Sequence, residues 1–384
     1  MTTEQNVLSG SVEQIGESAN TRHLSNIGKR KTQVDNIECN DYPSAFKFIL
    51  NLISTLCGDT GIIDAVSHRV VHGGTEFVSP TLLGGEVLDK LRSTISLAPL
   101  HNKASITGIE LALEFFPQIP QIAVFDTTFH QTMPEYAYRY AVPHELYEHH
   151  QIRRYGFHGL SHAYVCRRVA VDLNQSNESL NIISLHLGNG ASAAAISKGK
   201  CIDTSMGMTP MEGLIMGQRC GDLDPGVVFY LLQEGYTPSS LDNMLNRDSG
   251  LKGLCGSNDV REILTMVEAG NEKAKLALDM YCYRIKKYIG AYQAILGHID
   301  AIVFTGGIGE NSPQVRASIC ERLDHLGIIL DSHRNTQAID DILHIEASGN
   351  GFKNDTKIIV VRTDEANEIA VQTQHYLDQI SEIT

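Results

Sequence analysis

Five short apolar runs in this chain stop abruptly, each in a cluster of glycine or polar residues. Ile62–Val66 runs into Ser67-His-Arg-Val-Val-His-Gly-Gly74, and Gln121–Phe125 into Asp126-Thr-Thr-Phe-His130. Asn181–Leu185 runs into His186-Leu-Gly-Asn-Gly190, with a further apolar stretch, Ala191–Ile196, after that turn. Ala301–Phe304 runs into Thr305-Gly-Gly-Ile-Gly-Glu-Asn311, and Lys357–Val361 into Arg362-Thr-Asp-Glu365. Runs this short and this rich in Ile and Val suit strands buried on both faces. Helical stripes lie between them, at Ile106, Ile109, Leu113 and Phe116 and at Leu278, Cys282, Ile285, Ile289, Tyr292 and Leu296. These stripes read as core or interface packing. Alternating strands and helices give an α/β protein, whose sheets bind ligands beyond the carboxyl ends of their strands. The polar clusters sit at those ends, so the expectation is one shared active-site cleft.

Composition narrows the partners. The 384 residues carry 31 Lys and Arg against 45 Asp and Glu, a formal net charge of −14. An acidic surface repels nucleic-acid phosphates and anionic lipid, so neither is an expected partner. Eight cysteines are scattered without a Cys-x-x-Cys pair, which argues against zinc or a redox motif and for reduced thiols in a cytoplasmic protein. No apolar run reaches the ~18 residues of a membrane span, and the polar start lacks the regions of a signal peptide. The Asn20–Asn40 stretch reads as a surface excursion, and Glu135–Arg154 as a crossing between domains.

Both glycine turns look like anion cradles, because glycine lets backbone N–H groups approach a phosphate. The run from Gly306 to Asn311 leads to a helix expected near Ser312-Pro313, whose N-terminus also favours phosphate. Neither is a Rossmann or Walker motif, so neither alone identifies a nucleotide. Arg69 is expected just past a strand, and Arg219 sits between glycines in Met216-Gly-Gln-Arg-Cys-Gly221. Such an arginine suits close approach to an anion better than a surface ion pair. Arg153 and Arg154 are left open between structural and functional roles. His158 stands out between Gly156 and Gly159; His101 precedes a helix and could equally cap it. Asp126 and Glu365 at strand ends suit a Mg²⁺ ion, which takes few carboxylates. Asp259 is either a helix cap or a ribose partner.

Eight clusters, in order, resemble the acetate kinase family. They are Ser67–Gly74, Ala98-Pro-Leu-His-Asn102, Val124–Pro134, Arg153-Arg-Tyr-Gly-Phe-His-Gly159, His186–Gly190, Asp203-Thr-Ser-Met-Gly207, Met216–Arg219 and Phe304–Asn311. The resemblance implies a duplicated actin-like (ribonuclease H-like) α/β fold of two domains around an interdomain cleft. It places 1–130 plus 364–384 in an N-terminal acceptor domain and 131–363 in a C-terminal nucleotide-binding domain. It implies a cytoplasmic homodimer that transfers phosphoryl reversibly from ATP to acetate with Mg²⁺, or Mn²⁺ in its place. By position, Arg69 matches a substrate-binding arginine, Asp126, His158 and Arg219 match catalytic residues, and Glu365 matches the metal-binding glutamate. His186, Leu187, Gly188, Asn189, Gly190, Asp259, Val260, Arg261, Gly307, Ile308, Gly309, Glu310 and Asn311 match ATP contacts.

Three departures temper these expectations. Leu160 stands where the family has Thr, and Ala366 follows Glu365 where a second acid is usual. The family's opening strand and turn, Asn-x-Gly-Ser-Ser-Ser-x-Lys, has no match, and Asn6–Val12 looks like the strand that normally follows it. The expectation is a chain that catalyses poorly and is less stable than one with the opening restored, from a mis-assigned start or a true truncation. A propionate or butyrate kinase, a dimeric relic without turnover and, more weakly, a sugar kinase are the alternatives.

Overall fold

The computed structural model describes residues 8–13, 15, 22–27, 30–35, 39–57, 63–347 and 356–382. The chain divides into two compact units, Met1–Phe125 with Ala366–Thr384, and Asp126–Glu365.

The first unit opens with β1 (Ser9–Glu13), β2 (Arg22–Ile27) and β3 (Arg30–Asp35), an antiparallel sheet in that order. The stretch expected as a surface excursion is therefore largely strand, because β2 and β3 pair residue for residue from Arg22↔Asp35 to Ile27↔Arg30. Of Asn6–Val12, Asn6 and Val7 lie outside the described residues. After α1 (Tyr42–Cys57) comes a second sheet of β4 (Val66–Val70), β5 (Thr81–Leu82) and β6 (Gln121–Phe125), ordered β4-β6-β5. Between β5 and β6 lie α2 (Gly85–Ser93) and α3 (Pro99–Phe115). The Ile106 and Ile109 face of α3 packs with Val70, Phe77, Leu91 and Phe125, as the helical stripe predicts.

Two local expectations are corrected. Arg69 lies inside β4 rather than past it: β6 offers a parallel partner as far as Val70↔Phe125, and burial of Val70 holds the pairing to its end. His101 is the third residue of α3, whose N-cap position falls to Ala98, because Pro99 is pre-set for the first helical turn.

The second unit holds the helices α4 (Glu135–Tyr138), α5 (His144–His150) and α6 (Gly159–Asp172), then β7 (Asn181–Leu187), β8 (Ala191–Ser197) and β9 (Lys200–Thr204). Next come α7 (Pro225–Gln233), α8 (Pro238–Arg247), α9 (Gly250–Cys255), α10 (Val260–Glu268) and α11 (Glu272–Leu296). β10 (Ala301–Thr305), α12 (Gly306–Asn311), α13 (Pro313–Cys320), β11 (Ile342–His344) and β12 (Lys357–Val361) complete it, before α14 (Glu365–Ser381) returns the chain to the first unit. Residues 135–154, expected as a crossing between domains, contribute α4 and α5 within this unit.

The sheet order is β11-β12-β10-β7-β8-β9, with β12, β10 and β7 parallel. Val165 and Val169 of α6 pack against Ile182, Ala194, Val303 and Ile359 on one face, while α11 packs along β7 and β8. Every residue of β10 is buried, which fits its continuous apolar sequence at the sheet centre. In register, Thr305 faces His186 and Phe304 faces Val360. The chain therefore leaves β7, β10 and β12 at one edge of the sheet, and the polar clusters collect there.

Candidate active site

The turn after β7 divides two environments. On one side is a pocket of about 800 Å³ within the second unit, a size that suits a nucleotide-sized ligand. Gly188, Asn189, Asp259, Val260, Arg261, Gly307, Ile308 and Asn311 line it, all marked in the sequence. Asn258, Leu264, Ser312 and Gln314 line it too and were missed. Leu264 was legible in hindsight, since it follows Val260 by four residues and so shares its helix face. The wall is apolar at Val260, Leu264 and Ile308 and polar elsewhere.

Five marked residues lie outside that lining, Gly190 among them. His186 and Leu187 belong to β7 itself. Gly309 packs into the fold near Phe304 and Leu187. Glu310 turns inward: its Oε1 accepts from the backbone N–H of Gly306 (3.0 Å) and of Thr363 (3.1 Å). That tie makes the glycine run a helical turn, so the helix expected near Ser312 is preceded by one already formed from Gly306. Asp259 caps α10, its Oδ1 accepting from Arg261 N–H at 2.9 Å, and it also pairs with the Arg261 guanidinium. The pair and these donors hold the Asp259 carboxyl down at about 2.

On the other side of the turn, two side chains meet one glycine. A Cβ on Gly190 would stand 3.3 Å from His158 Nε2 and 3.6 Å from Arg219 Nη1. His158 occupies the N-cap position of α6 with φ 56°, a left-handed conformation that costs a non-glycine residue ~1–3 kcal/mol unless its surroundings impose it. They do so: α6 begins against Asp126, whose carbonyl accepts from Gly159 N–H at 2.9 Å, and a Cβ on Gly159 would come within 2.1 Å of that oxygen. The His158 ring stacks on His186 at 4.3 Å, and its Nδ1 bonds Ser192 Oγ at 2.9 Å.

Arg219 is half-buried, its Nη1 donating to Pro210 O at 3.0 Å. Burial draws its pKa below the ordinary guanidinium value, and among the described residues no carboxylate forms an ion pair with it. Its loop is docked on α9: backbone N–H groups of Ser249, Leu251 and Lys252 donate to the carbonyls of Gln218, Met216 and Gly217. Gly250 is required there, with φ +58° and a Cβ that would stand 2.2 Å from Met216 O. Asn189 ties the same loop to the turn, its carbonyl accepting from Gly217 N–H at 2.9 Å.

Asp126 is buried at the end of β6, and Glu365 opens α14. Arg69 is exposed on β4 of the first unit. The two arginines left open are structural. Arg154 donates to the carbonyls of Thr204, Ser205 and Met206 and pairs with Glu212, while Arg153 lies 3.6 Å over the Tyr138 ring.

The profile of the Acetokinase family matches residues 1–371. The chain belongs to the acetokinase family. It is 48% identical over 382 residues to an acetate kinase of Sulfurovum sp. (strain NBC37-1), covering 98% of this chain and 95% of that one. An acetate kinase of Campylobacter lari is 45% identical over 96% of this chain and 92% of its own. Among solved structures, Porphyromonas gingivalis acetate kinase superposes with a TM-score of 0.90 at 40% identity, over 98% and 95% of the two chains. A propionate kinase from Francisella tularensis subsp. tularensis SCHU S4 gives 0.89 at 40% identity, over 96% and 93%. The actin-like α/β fold expected from the sequence is thus the fold of the family, and the chain is a phosphotransferase with a carboxyl group as acceptor. Membership carries ATP as substrate and a divalent metal.

In a family member, the signal that sequence reasoning lacked was pairing at long range. Asn102 is fully buried: its Oδ1 accepts from His72 N–H (3.1 Å), and its Nδ2 donates to His72 O (2.9 Å) and Thr94 Oγ1 (2.8 Å). It braces the turn that follows β4, thirty residues away in sequence.

Proposed function

We propose that this chain transfers the γ-phosphoryl group of ATP to acetate, reversibly, giving acetyl phosphate and ADP. The observation that carries the reading is the convergence of His158 Nε2 and Arg219 Nη1 on Gly190, at the back of the turn that lines the nucleotide-sized pocket. The adenine would rest on Val260, Leu264 and Ile308, with the phosphates at Gly188–Gly190. A carboxylate acceptor has a pKa near that of Glu, ~4.3, so it is already ionised at neutral pH and needs no general base. Catalysis then reduces to holding charge: Arg219 and His158 donate to the equatorial oxygens of the transferring group, and Arg69 binds the acceptor carboxylate.

Asp126 and Glu365 are hard oxygen donors of the kind that Mg²⁺ takes, and among the described residues no group of three or more His, Cys, Asp or Glu forms a ready metal cage. That donor set fits Mg²⁺, which uses one or two carboxylates and fills its shell with phosphate and water. When bound, the ion neutralises phosphate charge.

A homodimer is the proposed assembly. α7 buries none of its residues, leaving Phe229 65% and Tyr230 60% exposed, and Tyr283 of α11 is 65% exposed. Arg284 and Tyr288 of α11 both bond Asp222, just ahead of α7, which sets these aromatics on neighbouring elements. Exposed apolar area of this kind marks an interaction surface. The cytoplasm is the proposed compartment, on the strength of seven cysteines that are free thiols and of ATP as substrate; no described helix is long and apolar enough to cross a membrane.

The test is an ATP-dependent assay with hydroxylamine trapping of the acyl phosphate, run on acetate, propionate and butyrate. Turnover highest on acetate is expected. A clear preference for propionate would shift the substrate by one methylene, a difference worth only ~1–3 kcal/mol. No acyl phosphate from any acid would overturn the reading.

A further inference from the structure

His158 is wired to the sheet behind it by a line of four groups. Its Nδ1 meets Ser192 Oγ at 2.9 Å, Ser192 Oγ meets His162 Nε2 at 2.8 Å, and His162 Nδ1 meets Ser184 Oγ at 2.8 Å. Ser192, His162 and Ser184 are all fully buried. Burial, reinforced by the neighbouring His130 and His186 rings, pushes the His162 pKa well down, so its ring is neutral with one N–H and one lone pair.

Such a line has two polarities. In the first, Ser184 donates to His162 Nδ1, His162 Nε2–H donates to Ser192, and Ser192 donates to His158 Nδ1. Every proton in the line then has an acceptor, and the proton of His158 sits on Nε2. In the second, every arrow reverses: His158 Nδ1–H donates to Ser192, Ser192 to His162 Nε2, and His162 Nδ1–H to Ser184. The Ser184 hydroxyl would then need another acceptor, and among the described residues its side chain bonds only His162. A buried hydroxyl proton without an acceptor is costly, so the end of the line selects the first polarity.

We propose that Ser184, His162 and Ser192 form a one-way hydrogen-bond relay that fixes His158 as its Nε2–H tautomer, aiming a neutral N–H donor at the site shared with Arg219. The Nε2 atom is the one that would lie 3.3 Å from a Cβ on Gly190, on the side where Arg219 Nη1 also arrives. Imidazolium formation at His158 would require the unfavoured polarity, so the relay also opposes a second proton at Nδ1. Ser184, His162 and Ser192 act through His158 and are positioning residues. The inference rests on the proposed role of His158 in phosphoryl transfer, but its physical content does not.

The test reads the ring nitrogens directly, by ¹⁵N NMR of histidine-labelled full-length protein at neutral pH. Expected is a protonated Nε2 and an unprotonated, hydrogen-bonded Nδ1 for His158, assigned by its loss in His158→Gln. A His158 with its proton on Nδ1, or on both nitrogens, overturns the relay even if the enzyme is fully active. The tautomer as expected in a protein without acyl phosphate production would keep the relay and refute the catalytic reading instead. Ser192→Ala and Ser184→Ala should both mix the tautomers and lower kcat ~10- to 100-fold while leaving the KM for ATP within about twofold, a misplaced tautomer being a loss of orientation. Ser184→Thr, which restores the hydroxyl, should recover both readouts. Ser184→Ala with a wild-type tautomer would show that the line does not end where we place its polarity.

Discussion

Two turns in this protein share a sequence signature and do opposite work. Each follows a strand with a parallel neighbour, each has a histidine one or two residues ahead of its first glycine, and each belongs to a different unit. The turn after β4, Val71–Gly74, is closed on itself: His72 Nδ1 accepts from Gly74 N–H at 2.9 Å, and Asn102 takes up the His72 backbone on both sides. Its glycine is a packing requirement, since a Cβ on Gly73 would stand 2.7 Å from Phe77 O. The turn after β7 is closed by one bond, Gly188 N–H to Gly190 O at 3.0 Å, and turns its outer faces to a pocket and to two side chains. The lesson is that a histidine beside glycines marks a tight turn, and only the surroundings decide whether the turn uses its polar groups internally or offers them.

The comparison breaks or sharpens under mutation. The largest effect should come from Arg219→Ala, with kcat lowered ~10²–10³-fold and the KM for ATP little changed, the cost of losing a donor to developing charge. Steady-state kinetics decide it; an unchanged kcat with only a raised acetate KM would make Arg219 a ground-state binder. Next, Asn102→Ala should lower unfolding free energy by about 2–3 kcal/mol in urea titration, because it strands the His72 backbone in a buried turn. Gly73→Ala should cost about 1–3 kcal/mol of stability through the clash with Phe77 O. Gly190→Ala should leave the melting temperature within a degree or two of wild type but lower kcat roughly 10-fold by displacing His158 and Arg219. If Gly190→Ala instead melted the protein as Gly73→Ala does, the two turns would not differ as described.

The smallest effect concerns pH and the edge strand β11. His344 Nδ1 meets Glu346 and its Nε2 meets Asp172 at 2.6 Å; those acceptors outweigh burial and raise its pKa. Burial alone would raise the Glu346 carboxyl, but donors from His344 and the Ile358 N–H bring it to about 2. The histidine therefore adds stability that is complete below its unfolded pKa and is lost as pH rises through the raised folded value. Glu346 adds stability present above its unfolded pKa and lost as pH falls towards 2. In unfolding curves from pH 5 to 8, His344→Gln should flatten the slope by less than ~1 kcal/mol, because the group is partly exposed.

The strands, the glycine turns and the pocket residues from Gly188 to Asn311 were legible because each depends on neighbours in sequence: an apolar run, a Cβ-free turn, a Pro at a helix start. Arg219 between its glycines and His158 between Gly156 and Gly159 were singled out too, and the two side chains meet at Gly190. Arg69 was placed one step wrong, since the end of a strand depends on how far its partner continues, and β6 continues to Phe125. Glu310 was marked as a nucleotide contact, and the fold also gives it a bond from Thr363 N–H, fifty-three residues on, that no local pattern shows. Arg154, Asn102 and the Ser184–His162–Ser192 line were settled only by the tertiary structure. Their chemistry depends on partners that the sheet brings together from distant positions, and a side chain's composition says what it can bond, never which distant group will stand opposite it.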